Sequence, residues 1–579
     1  MEGKDENGMI LPFRQDAAFF CRCAERYLDE EDLLRAAQYA RKAYELEPDN
    51  FEYAITHAEA LNRMRRYEES VQVLLLLRPF DELPEEALFG LASDFMGLEE
   101  FAAAKQCAEL CLNTACDQEY IERAAELLDL LDDKDELEYS IGLEEGEDCK
   151  LLEGIRVAKT LQLSGRTGEA IEMLRSMQQQ YPASDILDMD LAMLLFSVKA
   201  NQEAEAVLFG VLKRNSRHIR AHLLMALLYR AEGKQREARE QLDRVIMDPD
   251  ASPEELGYAG TVFIEFDQID RAVDSLERLE EFIPYDKEML YQLGYCYLKQ
   301  GDRQKAEETY HTLKLSDESD TVASYYENAI RTEPAESFLK SWTLNYEVPT
   351  AEYLARRDRL QTVAQAGDDA IRQVWKNDPS FRALIEWALF SVIVPFRKVI
   401  VHMLTVIRDA EAERLLRRFL MSYMHGDEEK QFAFGALLSM EAEPPFALNM
   451  GGSWQYGAVA PMTVPDRLPR SYSYILWNIQ QAKLRAREVD PAQEALVSDH
   501  LLDVAMRIYI LYTNSFAGRY PKLTPAQEEA FSAAFLLLAV GSVENAEITP
   551  EMVCAWYHVS SRRLENALKR IFRQLKEDS

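Results

Sequence analysis

Cysteine, histidine and carboxylate side chains at ligand or nucleophile spacing would be the chemistry-bearing residues of this chain. It holds eight cysteines and eight histidines among 579 residues. Cys21 and Cys23 stand two apart and Cys107, Cys111 and Cys116 form a loose group, but neither set has a second pair at zinc-site spacing. Cys107 and Cys111 are four apart, one helix face, which predicts packing rather than metal. His218 and His222 in RHIRAHLL share a face too, yet they lack the Glu of HExxH and a nearby third ligand, so a surface pair is expected. The chain has no GxxxxGK[ST], no GxSxG and no Gly-rich strand-to-helix turn. The expectation is a non-enzymatic protein with no metal and no cofactor; an active site assembled from distant residues would leave no such motif.

Composition narrows the class. The apolar fraction is 47%, and no run approaches the roughly 18 apolar residues of a membrane span. Scattered cysteines without a disulfide framework fit a reducing compartment. The start MEGKDENGMILPFRQD is acidic and polar, unlike a signal peptide, and reads as a disordered lead over residues 1–16. A cytoplasmic protein with no membrane partner is expected. Net charge is −36, of which −33 falls on residues 1–320 and −3 on 321–579. Such a field repels nucleic acid from the first half.

The elements that must position any binding residue announce themselves by period. Ala158, Ala192, Ala226, Gly260 and Gly294 fall 34 apart, and twelve residues after each comes Ala170, Ala204, Ala238, Ala272 and Ala306. Two helices crossing at close range need a small residue on each, with large apolar residues around it. Leu161, Leu195, Tyr229, Phe263 and Tyr297 supply these on the first helix, and Leu174, Leu208, Leu242, Leu276 and Tyr310 on the second. With Pro182 and Pro284 late in the unit, this pattern resembles the tetratricopeptide repeat (TPR), a helix-turn-helix unit of that period. Five copies span 151–320. The same columns appear earlier as Ala24, Ala58 and Ala92 with Ala36, Ser70 and Ala104, giving three more repeats over 17–118. Between the arrays, residues 119–150 begin as an amphipathic helix and pass into a run of acids, read either as a degenerate repeat and hinge or as a disordered acidic connector.

The resemblance implies an all-α solenoid, a right-handed superhelix whose first helices line a concave groove with their positions 2, 5, 9 and 12. Carried onto this chain, the groove residues are Lys159, Gln162, Met189, Met193, Phe196, Arg220, Leu223, Leu227, Arg230, Tyr291 and Tyr295. Methionine and aromatic side chains with a few cations suit an amphipathic helix or an apolar peptide carrying a carboxylate. The Lys/Asn/Arg clamp of certain chaperone-binding members is not visible. The alternative is that the groove packs against the chain's own later half.

Residues 321–349 read as a cap and connection, since a solenoid's last apolar face must be covered. From 350 to 443, five helical stretches with Arg-rich faces are similar to HEAT-like repeats: EYLARRDRLQTVAQ, DPSFRALIEWALF, PFRKVIVHMLTVI, AEAERLLRRFLMS and EEKQFAFGALLSM. The 444–470 segment then alternates Phe446, Leu448 and Met450, turns at Gly451-Gly452 and continues to Trp454 and Tyr456. It predicts a β-hairpin, read either as an interaction finger carrying an exposed Trp454 or as one whose apolar side caps the helices before it.

Residues 471–579 are helical again and end in ITPEMVCAWYHVSSRRLENALKRIFRQL. Thr549 caps a helix begun by Pro550, Val559-Ser560 form a turn, and a basic helix follows. The pair at 549–575 resembles a DNA-binding helix-turn-helix and, with the preceding AFSAAFLLLA helix, the end of a cyclin-box repeat of transcription initiation factors. His558 stands where the turn glycine belongs, so a left-handed residue is expected there. The resemblance assigns Ser561, Arg562, Arg563, Asn566 and Arg570 to DNA contact; the bland counterpart is a basic helix docked on an acidic scaffold. Two functions remain: a scaffold or adaptor that binds a peptide or helix of a protein partner, or a DNA-binding regulator with a TPR sensor part.

Overall fold

The computed structural model describes residues 15–77, 82–132, 148–163, 165–440, 442–443, 445–450, 453–457, 471–472, 475, 478–479, 482–490, 493, 496–514, 516, 520–541 and 548–577. It divides into two units: one holds the chain to 442 together with 447–456, and the other holds 443–446 and 457–579.

In the first unit the 34-residue period becomes helix pairs. Three come first: Ala17–Asp29 with Leu33–Leu46, Phe51–Arg63 with Tyr67–Leu75, and Glu85–Gly97 with Phe101–Thr114. Five follow: Cys149–Leu163 with Thr167–Met177, Asp185–Ser197 with Asn201–Arg214, Ile219–Ala231 with Gln235–Arg244, Pro253–Glu265 with Ile269–Phe282, and Lys287–Gln300 with Arg303–Ser316. One bond pattern closes every pair. The residue two past the turn donates back to the first helix, as in Arg66 N to Leu61 O at 2.9 Å, Lys234 N to Tyr229 O at 2.8 Å and Asp302 N to Tyr297 O at 2.9 Å. This is the bond of a left-handed helix end, and it puts one residue per repeat at positive φ: Glu31, Arg65, Glu99, Gly165, Lys199, Gly233, Asp267 and Gly301.

The small columns do what close crossing requires. Ala226 and Ala238 are fully buried, as are Ala192 and Ala204. Ser70, in the same column, is buried and satisfies its hydroxyl by donating to Ala58 O at 3.1 Å. Gly294 is there because a Cβ would come within 2.7 Å of the buried Tyr310 ring. Polar caps start the helices: Asn50, Ser184, Asp286 and Asp320 each accept from a first-turn N–H, and Ser252 forms a capping box with Glu255.

Between the arrays, Gln118–Asp132 is a helix that buries Ala124. The acidic run after it lies outside the described residues. After the eighth pair come Thr321–Thr332 and Ala335–Ser341, whose Tyr326 and Phe338 cover the last repeat's Tyr310. Six helices then span Thr350 to Ser439, one more than the five stretches read from sequence. The additional helix, Asp368–Asn377, was hidden by its brevity; it follows Gly367 at φ 92° and buries only Ile371 and Trp375.

Strands β1 (Phe446–Met450) and β2 (Ser453–Gly457) pair as a hairpin; its predicted Gly-Gly turn lies outside the described residues. Phe446 and Leu448 are buried, and Trp454 is half-buried against Phe95, with ring centroids 5.2 Å apart.

The second unit has its own core, with Tyr472, Tyr509, Phe535, Trp556 and Ile571 all buried. Its last helices are Pro550–Trp556 and Ser561–Glu577. Among the described residues no helix is long and apolar enough to cross a membrane.

Candidate partner-binding groove

In the first three central repeats the position-9 and position-12 side chains of the first helix keep exposed surface. Stacking repeats 34 residues apart sets these side chains in rows. Met193 is 38% exposed, Phe196 and Leu227 beside it are half-buried, and Lys159 and Gln162 are exposed. The remaining sequence-assigned residues are placed differently. Met189 and Leu223, at position 5, lie in the repeat core with almost no exposed surface. Arg220 donates to Glu254 at 3.2 Å. Arg230 pairs with Glu265 at 3.8 Å and lies over the Phe266 ring at 4.9 Å.

Two of the three groove cations, Arg220 and Arg230, are therefore already paired. Asp190 strengthens the point: burial raises its carboxyl, while Arg220 and Lys159 pull it back toward the charged form. At Arg220 and Arg230 a partner's carboxylate would have to displace an internal one. Sequence reasoning missed these counter-charges because Asp190 and Glu265 stand outside the transferred positions, and because the fourth repeat, whose position 2 is Glu254, was left out of the transfer.

At the far end the groove is occupied by the chain itself. Trp342 stacks on Tyr295 at 3.9 Å and on Tyr291 at 5.0 Å. Tyr291 is fully buried, and its hydroxyl donates to Thr343 O at 2.7 Å. The irregular stretch after Ser341 lies on the position-5 and position-9 residues of the last repeat much as a ligand would. At the near end Arg156 pairs with Glu100 of the N-terminal array at 2.6 Å.

The candidate metal ligands are placed as follows. Cys107 and Cys111 are buried in the core. Cys21 groups with Glu25 and Glu52, but burial pushes its thiol up, away from the thiolate that a metal requires. The surface pair expected of His218 and His222 is overturned. His222 is buried, with Nδ1 2.8 Å from Gln241 Oε1 and Nε2 3.0 Å from Ser216 O, and His218 caps its helix by accepting from Ala221 N at 3.2 Å. The sequence signal was present in AHLLMALLY, where His222 sits on the buried side.

At the C terminus, His558 has φ 50°, the left-handed turn expected of it. Leu564, Ala567 and Ile571 are buried, while Ser561, Arg562, Arg563 and Asn566 are exposed on the opposite face. Arg570 is tied inward over the Phe531 ring at 5.0 Å.

Comparison with known proteins places the class. Tetratricopeptide-repeat family models match residues 161–228 and 288–316. A TPR repeat-containing protein of Bacillus subtilis (strain 168), YvcD, is 28% identical over 246 residues, 41% of this chain. The matched part spans 50% of that relative's length. Solved structures with similar repeats include YrrB, described as a TPR protein with an unusual peptide-binding site, at 20% identity and a TM-score of 0.23, covering 29% of this chain and 89% of that one. A human IFIT1 dimer with m7Gppp-AAAA is at 13% identity and 0.29, covering 65% and 94%. The chain carries tetratricopeptide repeats, units that generally present surfaces for protein–protein interaction.

Proposed function

We propose that this chain is an interaction scaffold or adaptor that works by binding rather than catalysis. Its central repeats take an apolar peptide or one face of a helix along Met193, Phe196 and Leu227, with Lys159 and Gln162 at the edge. One observation carries the reading. Position 9 of the last repeat, Tyr295, already holds an aromatic side chain from an irregular stretch, Trp342, whereas the equivalent Met193 and Leu227 are left partly open. The groove thus contains an internal example of what its open rows accept. Apolar anchors and methionine adapt to such a guest.

The test is peptide selection from a display library on the immobilised full chain, followed by titration of the winners. Met193→Ala with Phe196→Ala should weaken them at least tenfold without lowering the thermal midpoint. Equal affinity for wild type and double variant would place the binding elsewhere.

A second reading assigns duplex DNA to the C-terminal helix pair. It is supported by the left-handed His558 and by the exposed Ser561, Arg562, Arg563 and Asn566 at the start of the last helix. Phosphate contacts release counterions, so binding must fall steeply with salt. A labelled duplex titrated with the full chain should show salt-sensitive anisotropy that Arg562→Ala with Arg563→Ala removes. A flat titration at tens of micromolar in low salt eliminates this reading and leaves the scaffold.

A further inference from the structure

Four stretches far apart in sequence converge beside Phe95, away from the groove described above. Trp454 of β2 sets its ring on Phe95 and donates its Nε1–H to the Tyr423 hydroxyl at 2.7 Å. Tyr423 follows the helix Ala410–Met421, and its backbone N–H donates to Glu68 Oε1 at 3.4 Å. Arg418 of that helix donates to Gln72 at 3.3 Å, and Lys430 of Asp427–Ser439 donates to the Asn449 carbonyl of β1. On the other side of Tyr423 stands Glu100, paired with Arg156 through one oxygen while the other is buried without a partner. The hairpin and the Tyr423 segment therefore fasten the N-terminal array to the later helices largely through one half-buried indole and a few polar bonds. Among the described residues these contacts are one indole set against the Phe95 cluster and several polar bonds, the composition of a seam that opens and closes more readily than a core.

We propose that β2 is a strap: Trp454 and Tyr423 close the face of the N-terminal array formed by Phe95, Glu68, Gln72 and Glu100, and ionisation of the carboxyls beneath them loosens it.

Burial, against the pull of the neighbouring cations, sets the direction for each carboxyl. Glu68 faces Glu69 of its own helix and Lys430 and Arg418 of the later helices; burial dominates and pushes it up to about 7. Glu100 faces Arg156 and Glu153 of the first central helix and the Tyr423 hydroxyl; burial again dominates and pushes it up to about 7. A released strap returns both to water and to the ordinary carboxylate range. The closed form therefore binds more protons between about pH 4.5 and 7, and closure weakens as pH rises through that window before levelling off above it. The inference does not depend on the groove reading, since none of Lys159, Met193, Phe196 and Leu227 takes part.

Hydrogen exchange of the full chain, followed by mass spectrometry, tests it. Trp454→Ala should speed exchange at residues 93–101 and 446–450 at least tenfold while residues 221–229 keep wild-type protection. In the wild type, opening corrected for intrinsic rates should rise at least tenfold from pH 5 to pH 7.5, and Glu68→Gln with Glu100→Gln should abolish that rise. Unchanged protection at 93–101 in Trp454→Ala overturns the strap. Should that variant loosen the whole chain, the glutamine pair decides alone: a wild type with no pH-dependent opening, or a pair that opens as the wild type does, overturns the proposal.

Discussion

Asp94 shows what a single residue can do against the period it sits in. It stands two after the small residue of its helix, in a column that holds Arg26 and Thr160 in two repeats and Ala60, Leu194, Leu228, Val262 and Cys296 in the other five. The structure buries it completely. Asn62 donates to one oxygen at 2.7 Å, and the other has no partner. Burial pushes the carboxyl up to about 7, against the smaller pull of Ser70 and Asn62. The folded state thus keeps a proton that the unfolded chain loses near pH 4. The associated stability is complete below pH 4 and is lost as pH rises to about 7. Asp94→Asn keeps the shape and cannot ionise, so its stability advantage over wild type should widen by ~1.4 kcal/mol per pH unit between pH 5 and 7 and stay constant above. Urea unfolding at pH 5, 7 and 8 measures this, and parallel curves for the two proteins would show that Asp94 is hydrated. The small-residue columns were legible at this scale because close helix crossing allows few alternatives at Ala226 or Ala238. The role of Asp94 was not, because a lone acid on a helix usually faces water.

At the scale of elements, legibility followed the strength of the local rule. The helix pairs of the central array could be read from a repeated 34-residue spacing, and β1 and β2 from alternation. The helix Asp368–Asn377 could not, since ten residues with two apolar anchors, Ile371 and Trp375, give too short a pattern to stand out. The groove illustrates the boundary. The resemblance to tetratricopeptide repeats put Met193, Phe196 and Leu227 on one face, and the structure leaves that row partly open. The same resemblance put Tyr291 and Tyr295 there, where Trp342 covers them. Periodicity says which way a side chain points and nothing of what arrives from another stretch to meet it. The cap between 321 and 349 was expected, yet its reach back into the groove depends on Trp342 landing between two tyrosines, which no local pattern encodes.

Closure of the first unit belongs to the largest scale and was invisible in the sequence. Arg41 and Asp317 are 276 residues apart, and each reads as an ordinary solvated charge on a helix or turn. In the structure they pair at 2.5 Å, and Arg66 and Lys287 reach the same carboxylate at 3.3 and 2.9 Å. Glu69 and Asp320 complete the network at 2.6 Å from Arg66 and 3.6 Å from Lys287. The opening repeats are thereby pinned to the last one, with Gln38 also donating to Leu315 O at 3.2 Å. Burial alone would raise Asp317, but Lys287, Arg41 and Arg66 together hold its carboxyl well below the usual range. Its contribution is therefore present at neutral pH and lost only as pH falls through that lowered value. Removing the hub takes the shared carboxylate from three cations in a partly dry site and leaves Arg66 to Glu69, Lys287 to Asp320 and Arg41 to Glu45, and an under-compensated charge there costs more than the pair ever contributed. Asp317→Ala should destabilise the chain by about 3 kcal/mol, and Asp317→Ala with Lys287→Met by less than the sum of the two single changes, because one of the under-compensated charges is gone. Urea unfolding of the four proteins at pH 7 reads both quantities. A loss below about 1 kcal/mol for Asp317→Ala, the range of exposed pairs, would mean that the network decorates the closure and that apolar packing around Tyr27, Tyr39 and Tyr285 holds it.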